Sequence, residues 1–426
     1  MKMEMNTKEF YTQHSKVFCM SPWTHLHGLP TGDVIPCCLS PFEANVGNLK
    51  KESIIQVWNS EKMRELRRNM LNDVPTPDVC NRCYSKGTNK FSTLRDGLNA
   101  KYAEKYYDVV QSTEVDGSVP ELNIVHWDFR FSNICNLKCR TCGPDFSTPW
   151  YDDFLAVHNI DKAQYGKGRF LKIVEDKDQF WDMIDPLYPH VESIHFAGGE
   201  PLLMDEHYRM INRFLEEGNT DLEILYSTNF TVMKYKGIEV PELWKNFSDI
   251  TLSISVDGFG EYFDLIRSGG NWADVEKNFE LLTNDPRMAH IKYRIHPTVS
   301  ILNIFHITDL HELLLNRKYI IKDGLKTDPE NYYSDVFMIN PLIYPDHYNI
   351  QALPMHIKDK AAEKIRKHIE WLDVNHGIIG DGFENLITYM YEKDDSANFE
   401  EFKKVTAKLD TIRGENMAGL LNYLEI

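Results

Sequence analysis

At 426 residues, with 42% hydrophobic and 26% charged side chains, the chain has ordinary globular composition and more length than one core usually serves. Lys and Arg number 47 against 64 Asp and Glu, and the resulting charge of -17 repels phosphate backbones and disfavours non-specific nucleic-acid binding. No run of about 18 apolar residues is present, and the polar start MKMEMNTKEFYTQ has no apolar signal core. The expectation is a chain with no membrane partner, residing in the cytoplasm, where thiols stay reduced and available to metal.

Five of the eight cysteines fall within residues 1–115, which read as a small cysteine-rich domain. Gly32 permits a hairpin turn that delivers Cys37 from a strand. Cys80-Asn81-Arg82-Cys83 is a C-x2-C pair, expected to set two thiolates on one tight turn. With Cys19 these make four ligands and a closed site. Cys38 is a fifth thiol for four places; the glycine spacing assigns Cys37, with Cys38 as the alternative. The residue types alone admit zinc or an iron-sulfur cluster. Met63, Leu66, Met70 and Leu71 recur at helical spacing until Pro75 and Pro77 end the pattern.

Residues 116–330 alternate strand and helix signals. Strands are expected at Leu122–Phe129, Val191–Ala197, Leu222–Ser227, Ile250–Val256 and Lys292–Val299, and helices at Asp205–Glu217 and Ala273–Leu282. That alternation means a parallel sheet with right-handed crossovers, whose chemistry sits in loops at the strands' C-terminal ends. The first such loop holds Cys135-Asn136-Leu137-Lys138-Cys139-Arg140-Thr141-Cys142, spaced C-x3-C-x2-C. Three thiolates on a [4Fe-4S] cube leave one iron open; a structural zinc site would want a fourth ligand, and none stands near in sequence. The second loop is Gly198-Gly199-Glu200-Pro201, where two glycines let the backbone approach a ligand and Glu200 can accept a charge-assisted hydrogen bond. Ser227, Asn229, Ser255 and Asp257 close the next two strands, and Arg267 follows on a helix. His126, Asp128 and His195 lie on strands, and Arg294, His296 and Ser300 share one face of the last strand; these are candidates to face a substrate, although a lone His is more often a satisfied core residue.

Residues 331–426 start with the irregular stretches Asn331-Tyr332-Tyr333 and Asn340 to Pro345, then read as helices at Lys358–Asp373, Glu384–Glu392 and Phe399–Arg413, with no ligand constellation.

The C-x3-C-x2-C loop, the Gly-Gly-Glu-Pro turn and the polar strand ends, in this order, resemble the radical SAM superfamily. The resemblance implies an α/β fold built on a partial (β/α)6 TIM-like barrel. It also implies a [4Fe-4S] cluster on Cys135, Cys139 and Cys142 whose open iron chelates S-adenosylmethionine. Gly198, Gly199, Glu200 and Pro201 would take the methionyl amine, and Ser227, Asn229, Ser255 and Asp257 the ribose and carboxylate. Cys19, the glycine before Cys37, Val46-Gly47-Asn48-Leu49, the helix Ser53 to Trp58 and the closing C-x2-C resemble the twitch domain, the half-length SPASM domain. That likeness implies an auxiliary [4Fe-4S] cluster on Cys19, Cys37, Cys80 and Cys83. Families with this domain commonly carry it after the core; here it comes first. The tail, with Phe402, Leu409, Asp410 and Arg413, is similar to the endings of a group of twitch-containing radical SAM proteins. The implied activity is hydrogen abstraction by a 5′-deoxyadenosyl radical from a peptide or protein side chain, fed by an electron donor such as flavodoxin or ferredoxin. A small metabolite (sugar, cyclitol or nucleotide) is the alternative substrate, and a non-catalytic iron-sulfur or zinc module is the alternative of another class.

Overall fold

The computed structural model describes residues 7–84, 93–320 and 336–424. The chain forms two compact units, one made of Met1–Ser132, Leu171–Gly198 and Asp205–Ile224, the other of Asn133–Phe170, Gly199–Met204 and Leu225–Ile426.

In the first unit the strands are β1 (His25–Gly28), β2 (Asp33–Ile35), β3 (Gly47–Asn48), β4 (His126–Phe129) and β5 (Ser193–Phe196), in the order β5-β4-β1-β2-β3. The expected hairpin forms: β1 and β2 pair antiparallel, and Gly32 between them holds φ +91, a conformation other residues rarely adopt. β1 also pairs in parallel with β4, bringing His25 opposite His126 and His27 opposite Asp128. The early cysteine-rich segment thus adds a parallel strand beside the first strand of the core, a pairing that sequence order alone does not announce. Side chains alternate along these strands. Leu26, Trp127 and Ile194 are buried on one face, where Trp127 meets Tyr188 edge-on at 5.1 Å and Tyr188 meets Phe214 at 4.9 Å. Phe214 belongs to the helix Asp205–Glu217, which also buries His207, Tyr208, Met210 and Ile211, as its periodicity predicts. The other face is polar throughout.

The second unit carries β6 (Glu223–Thr228, its first two residues counted in the first unit), the small hairpin of β7 (Lys234–Tyr235) and β8 (Ile238–Glu239), then β9 (Asp249–Ile254), β10 (Lys292–Ile295), β11 (Thr298–Val299) and β12 (Asn340–Pro341). Its sheet runs β6-β9-β10, and β9 and β10 pair in parallel. The helix Trp272–Asn284 between them buries Trp272, Val275, Phe279 and Leu282. The helices Met355–His376, Asp381–Glu392 and Phe399–Arg413 follow, the first longer than expected.

Four expectations are corrected. The strand Leu122–Phe129 is ordered as a strand only from His126. The strand Lys292–Val299 breaks into β10 and β11 at Pro297, which has no N–H to extend a ladder, so Arg294, His296 and Ser300 do not share one continuous strand face. Cys80 and Cys83 sit on the helix Pro77–Tyr84, not on a tight turn; three residues apart, they fall on one helix side. Asn340–Pro341, expected to be irregular, pairs with β11. Asn331-Tyr332-Tyr333 and the boundary near residue 330 lie outside the described residues. Among the described residues, no helix is long and apolar enough to cross a membrane.

Candidate functional site

The three-cysteine loop opens the second unit and is closed on itself at its base. Asn133 Nδ2 donates to the carbonyls of Pro144 at 2.7 Å and Arg169 at 2.9 Å, and its own carbonyl accepts the Thr148 N–H at 2.9 Å. The middle of the loop is laid along residues 266–268: Lys138 N–H donates to Ser268 O and Arg140 N–H to Ile266 O, both at 2.8 Å. Gly269 holds φ +92, and a Cβ there would stand 3.1 Å from Asn136 O. Ser147 Oγ donates to Leu137 O at 2.5 Å and Trp150 Nε1 to Cys139 O at 2.6 Å.

The sulfurs face hydrogen-bond donors. Cys135 Sγ accepts from Leu137 N–H at 3.4 Å and from Asn229 Nδ2 at 3.9 Å, and Cys139 Sγ from Arg267 Nη1 at 3.8 Å. Burial pushes all three thiols up, Cys142 to about 12, and the charge of Cys139 adds to the effect at Cys135 and Cys142. Thiols so placed ionise when a bound metal takes their electron pairs, and N–H donors aimed at sulfur then tune that metal. Among the described residues, no three His, Cys, Asp or Glu side chains are drawn together as one metal ion would draw them. The chemistry of this donor set, three soft thiols with sulfur-directed N–H groups, fits an iron-sulfur cluster.

The Gly-Gly-Glu-Pro turn crosses this loop. A Cβ on Gly199 would sit 2.0 Å from Ile134 O, so only glycine passes, and the Glu200 N–H donates to that same carbonyl at 2.8 Å. Gly198 has φ +121. Pro201 opens a short 3-10 turn capped by Glu200. The Glu200 carboxylate is buried, which lifts its pKa to about 7 although Asn229 N–H, Thr228 Oγ1 and Leu202 N–H all donate to it, at 2.8, 2.9 and 3.2 Å. Glu200 therefore ties the turn to the end of β6 and fixes Asn229, whose Nδ2 reaches both Cys135 Sγ and Asn136 Oδ1, the latter at 2.9 Å. Asp257, expected at a ligand, is buried, pairs with Arg267 at 2.9 Å and accepts the Thr298 N–H at 2.7 Å. Arg267 bridges Asp257 to Cys139. Ser227 lies near the end of β6, and Ser255 follows β9, donating its N–H to Thr228 O at 2.9 Å.

In the first unit, Cys19, Cys37, Cys80 and Cys83 line one pocket. Asn99 brackets Cys19, accepting the Met20 N–H at 2.8 Å and donating to Phe18 O at 3.0 Å. Burial raises the thiols of Cys19, Cys80 (to about 11) and Cys83, and at each of them the charge of Cys37 adds to this. Cys37 is instead lowered to about 6, chiefly by a hydrogen bond from the Cys38 thiol. Cys38 is exposed, is not part of the cavity lining, and has Asp128 and Arg130 as charged neighbours. Of the adjacent pair, Cys37 is the one that faces the other three.

The polar face of β1, β4 and β5 gathers His126, Asp128 and His195 with two residues that sequence reasoning passed over, His25 and His27. Asp128 Oδ2 lies 3.1 Å from His195 Nδ1, and 2.9 Å from His27 Nδ1 in an ion-pair contact without hydrogen-bond alignment. Arg130 Nε donates to Asp128 Oδ1 at 2.5 Å. Burial alone would raise the Asp128 carboxyl, but Arg130, His27 and His195 hold it well below the usual range. In the next row, His126 Nδ1 lies 2.5 Å from Ser193 Oγ and His25 Nδ1 lies 3.0 Å from His126 O. Burial lowers His25 to about 4 and also lowers His126 and His195. The signal was present as His-Leu-His, a polar-apolar alternation matching His-Trp-Asp and Ser-Ile-His on the other two strands.

Residues 129–285 match the radical SAM superfamily, and residues 19–84 match SPASM, an iron-sulfur cluster-binding domain. The first carries with it the partial-barrel fold class, a [4Fe-4S] cluster and S-adenosylmethionine; the second carries auxiliary iron-sulfur binding and answers the zinc alternative for the early cysteines. No curated protein matches the chain. Among solved structures, native anSMEcpe with bound AdoMet and Cp18Cys peptide is 15% identical, the match covering 59% of this chain and 60% of that one with a TM-score of 0.35. Streptococcus suis SuiB bound to precursor peptide SuiA is 14% identical, with 70% and 60% covered and a TM-score of 0.33. SuiB bound to S-adenosylmethionine is 13% identical, with 76% and 74% covered and a TM-score of 0.34. The chain thus spans about three fifths of the length of the anSMEcpe chain.

Proposed function

We propose, from the premise that this is a radical SAM superfamily chain with an SPASM-type cluster domain ahead of the core, that it is an enzyme abstracting hydrogen from a peptide or protein side chain. A [4Fe-4S] cluster with S-adenosylmethionine supplies, when bound, reductive cleavage of the sulfonium to a 5′-deoxyadenosyl radical. Cys135, Cys139 and Cys142 would hold that cluster, and Cys19, Cys37, Cys80 and Cys83 the auxiliary one. The observation that carries the reading is the three-thiol loop with N–H donors on Cys135 and Cys139, crossed by the Gly199-Glu200 turn.

The chain's own residues bind and orient. Arg267 sets a positive charge beside Cys139, and Asp257 holds that guanidinium in place. Glu200 anchors Thr228 and Asn229, so that Asn229 keeps its amide on Cys135. Gly199 brings bare backbone against Ile134 of the loop, and the resemblance assigns Gly198, Gly199, Glu200 and Pro201 to a methionyl amine and Ser227 and Ser255, at the ends of β6 and β9, to a ribose. Peptide substrates are the class on which SPASM and twitch enzymes resembled by this sequence commonly act. A cytoplasmic, reducing setting suits eight free thiols.

The test is anaerobic reconstitution with iron and sulfide, reduction, and addition of S-adenosylmethionine, with 5′-deoxyadenosine measured by chromatography. Its formation by the wild-type chain and loss in Cys139→Ala is expected; no formation would leave the chain a binding module. Deuterium transfer into 5′-deoxyadenosine from labelled peptides, and none from labelled sugars or nucleotides, is expected; the opposite pattern overturns the peptide reading.

A further inference from the structure

The two residues flanking Cys139 are both cations, Arg140 held directly by the far end of the chain and Lys138 by Asp153, which the far end also grips. Arg140 is fully buried and pairs with Asp410 and with Glu415, the latter at 2.6 Å. Lys138 pairs with Asp153 at 3.0 Å, and Arg413, also fully buried, pairs with the same Asp153 oxygen at 2.7 Å. The Arg413 guanidinium stacks 4.7 Å over Trp150, whose Nε1 donates to the carbonyl of Cys139 itself. Glu415 also accepts from Ser268 Oγ, and the Ser268 carbonyl takes the Lys138 N–H.

These grips arise from one short stretch. The helix Phe399–Arg413 ends on Gly414, whose φ of +65 turns the chain back so that Glu415 points at Arg140, while its N–H donates to Asp410 O at 3.0 Å. Asp410 and Glu415 then reach Arg140 of the cysteine loop directly, and Arg413 acts on it through Asp153 and Trp150, each side chain with little or no exposure. A surface ion pair contributes little to structure, but buried arginines with carboxylate partners resist displacement, because moving either partner strands a charge.

We propose that Asp410, Arg413 and Glu415 form a positioning clamp for the three-cysteine loop, fixing the reach of the Cys139 thiolate from both sides. The inference rests on the assignment of a cluster to that loop. These are positioning residues, acting through Lys138, Arg140 and Trp150. The sequence marked Asp410 and Arg413 only by the likeness of the tail to other endings, since the residues they grip, Arg140 and Asp153, stand 260 or more positions away.

The experiment uses the full chain and the variants Asp410→Asn/Glu415→Gln and, as the milder perturbation, Glu415→Gln alone. In the metal-free protein, hydrogen–deuterium exchange at the amides of residues 137–142 is expected to rise at least about tenfold in the double variant, with circular dichroism unchanged. In the reconstituted protein, the electron paramagnetic resonance shift that S-adenosylmethionine induces in the reduced cluster is expected to broaden or vanish, while the auxiliary-cluster signal persists. Reductive cleavage is expected to fall on the order of 100-fold, the usual consequence of a reacting group displaced by about 1 Å. Unchanged exchange, spectrum and cleavage in a folded double variant overturn the clamp. If the double variant does not fold, the same three measurements on Glu415→Gln decide, with a few-fold change in each supporting the clamp and none overturning it. A wild-type chain that assembles no cluster on Cys135, Cys139 and Cys142 refutes the cluster assignment instead, and the exchange measurement on metal-free protein still reads the clamp.

Discussion

Gly199→Ala is the sharpest perturbation available at the crossing of the cysteine loop and the Glu200 turn. The new methyl carbon would lie 2.0 Å from Ile134 O and 2.6 Å from Ile134 C. Both are backbone atoms, so no side-chain rotation relieves the overlap. Reaching ordinary contact requires a movement of about 1.4 Å, one residue ahead of Cys135, and it stretches the Glu200 N–H bond to Ile134 O beyond its present 2.8 Å. Overpacking and a lost hydrogen bond together cost about 2–4 kcal/mol, a fall in Tm of about 2–5 °C for a chain of this length. The displaced thiolate should lower 5′-deoxyadenosine formation on the order of 100-fold. Gly143→Ala is the control: it follows Cys142 directly, yet its Cβ would meet nothing within 4 Å, and it should match wild type in both assays. Wild-type turnover and Tm in Gly199→Ala, or equal losses in both variants, would refute the reasoning.

Cys37→Ala should remove about four irons per chain after reconstitution, as expected for loss of one [4Fe-4S] cluster, whereas Cys38→Ala should keep full iron content; the reverse outcome would reassign the fourth auxiliary ligand. Asp128→Ala strands Arg130 beside two imidazoles and should cost about 3–5 kcal/mol in urea unfolding; a loss under about 1 kcal/mol would mean the row is solvated. His25 has its pKa depressed from 6.5 to about 4 by burial, so the folded state binds fewer protons than the unfolded one. Its contribution is complete above pH 6.5 and is lost as pH falls toward 4, on the order of 3 kcal/mol across that window. His25→Gln should flatten the fall in Tm between pH 6.5 and 4, and an unchanged slope would show that His25 is not buried neutral.

What the sequence made legible was local. The cysteine spacing and the Gly-Gly-Glu-Pro turn are contiguous, and the helices Asp205–Glu217 and Phe399–Arg413 declare themselves by periodicity within their own length. The break at Pro297 was legible in principle, since its missing N–H sits in the middle of the expected strand. What stayed hidden depends on partners remote in the chain. His27 acquires meaning only when β1 settles next to β4, about a hundred residues on, with His27 in register with Asp128. Arg140 was only one residue of the cysteine loop in the sequence, and its enclosure by Asp410 and Glu415 appears only in the fold. Asp257 resembled a ligand contact by its place at a strand end, and only the fold reveals its engagement with Arg267.

The parallel pairing of β1 with β4 has a practical outcome for anyone recombining such proteins. Because β1 is flanked by β2 on one side and β4 on the other, the leading cysteine-rich stretch is no detachable cassette. A graft that exchanges everything before residue 115 would strip a rung from the ladder and lay Asp128 bare to solvent. Chimeras should therefore preserve His25 through Gly28 with their native neighbours, or transplant all three strands together.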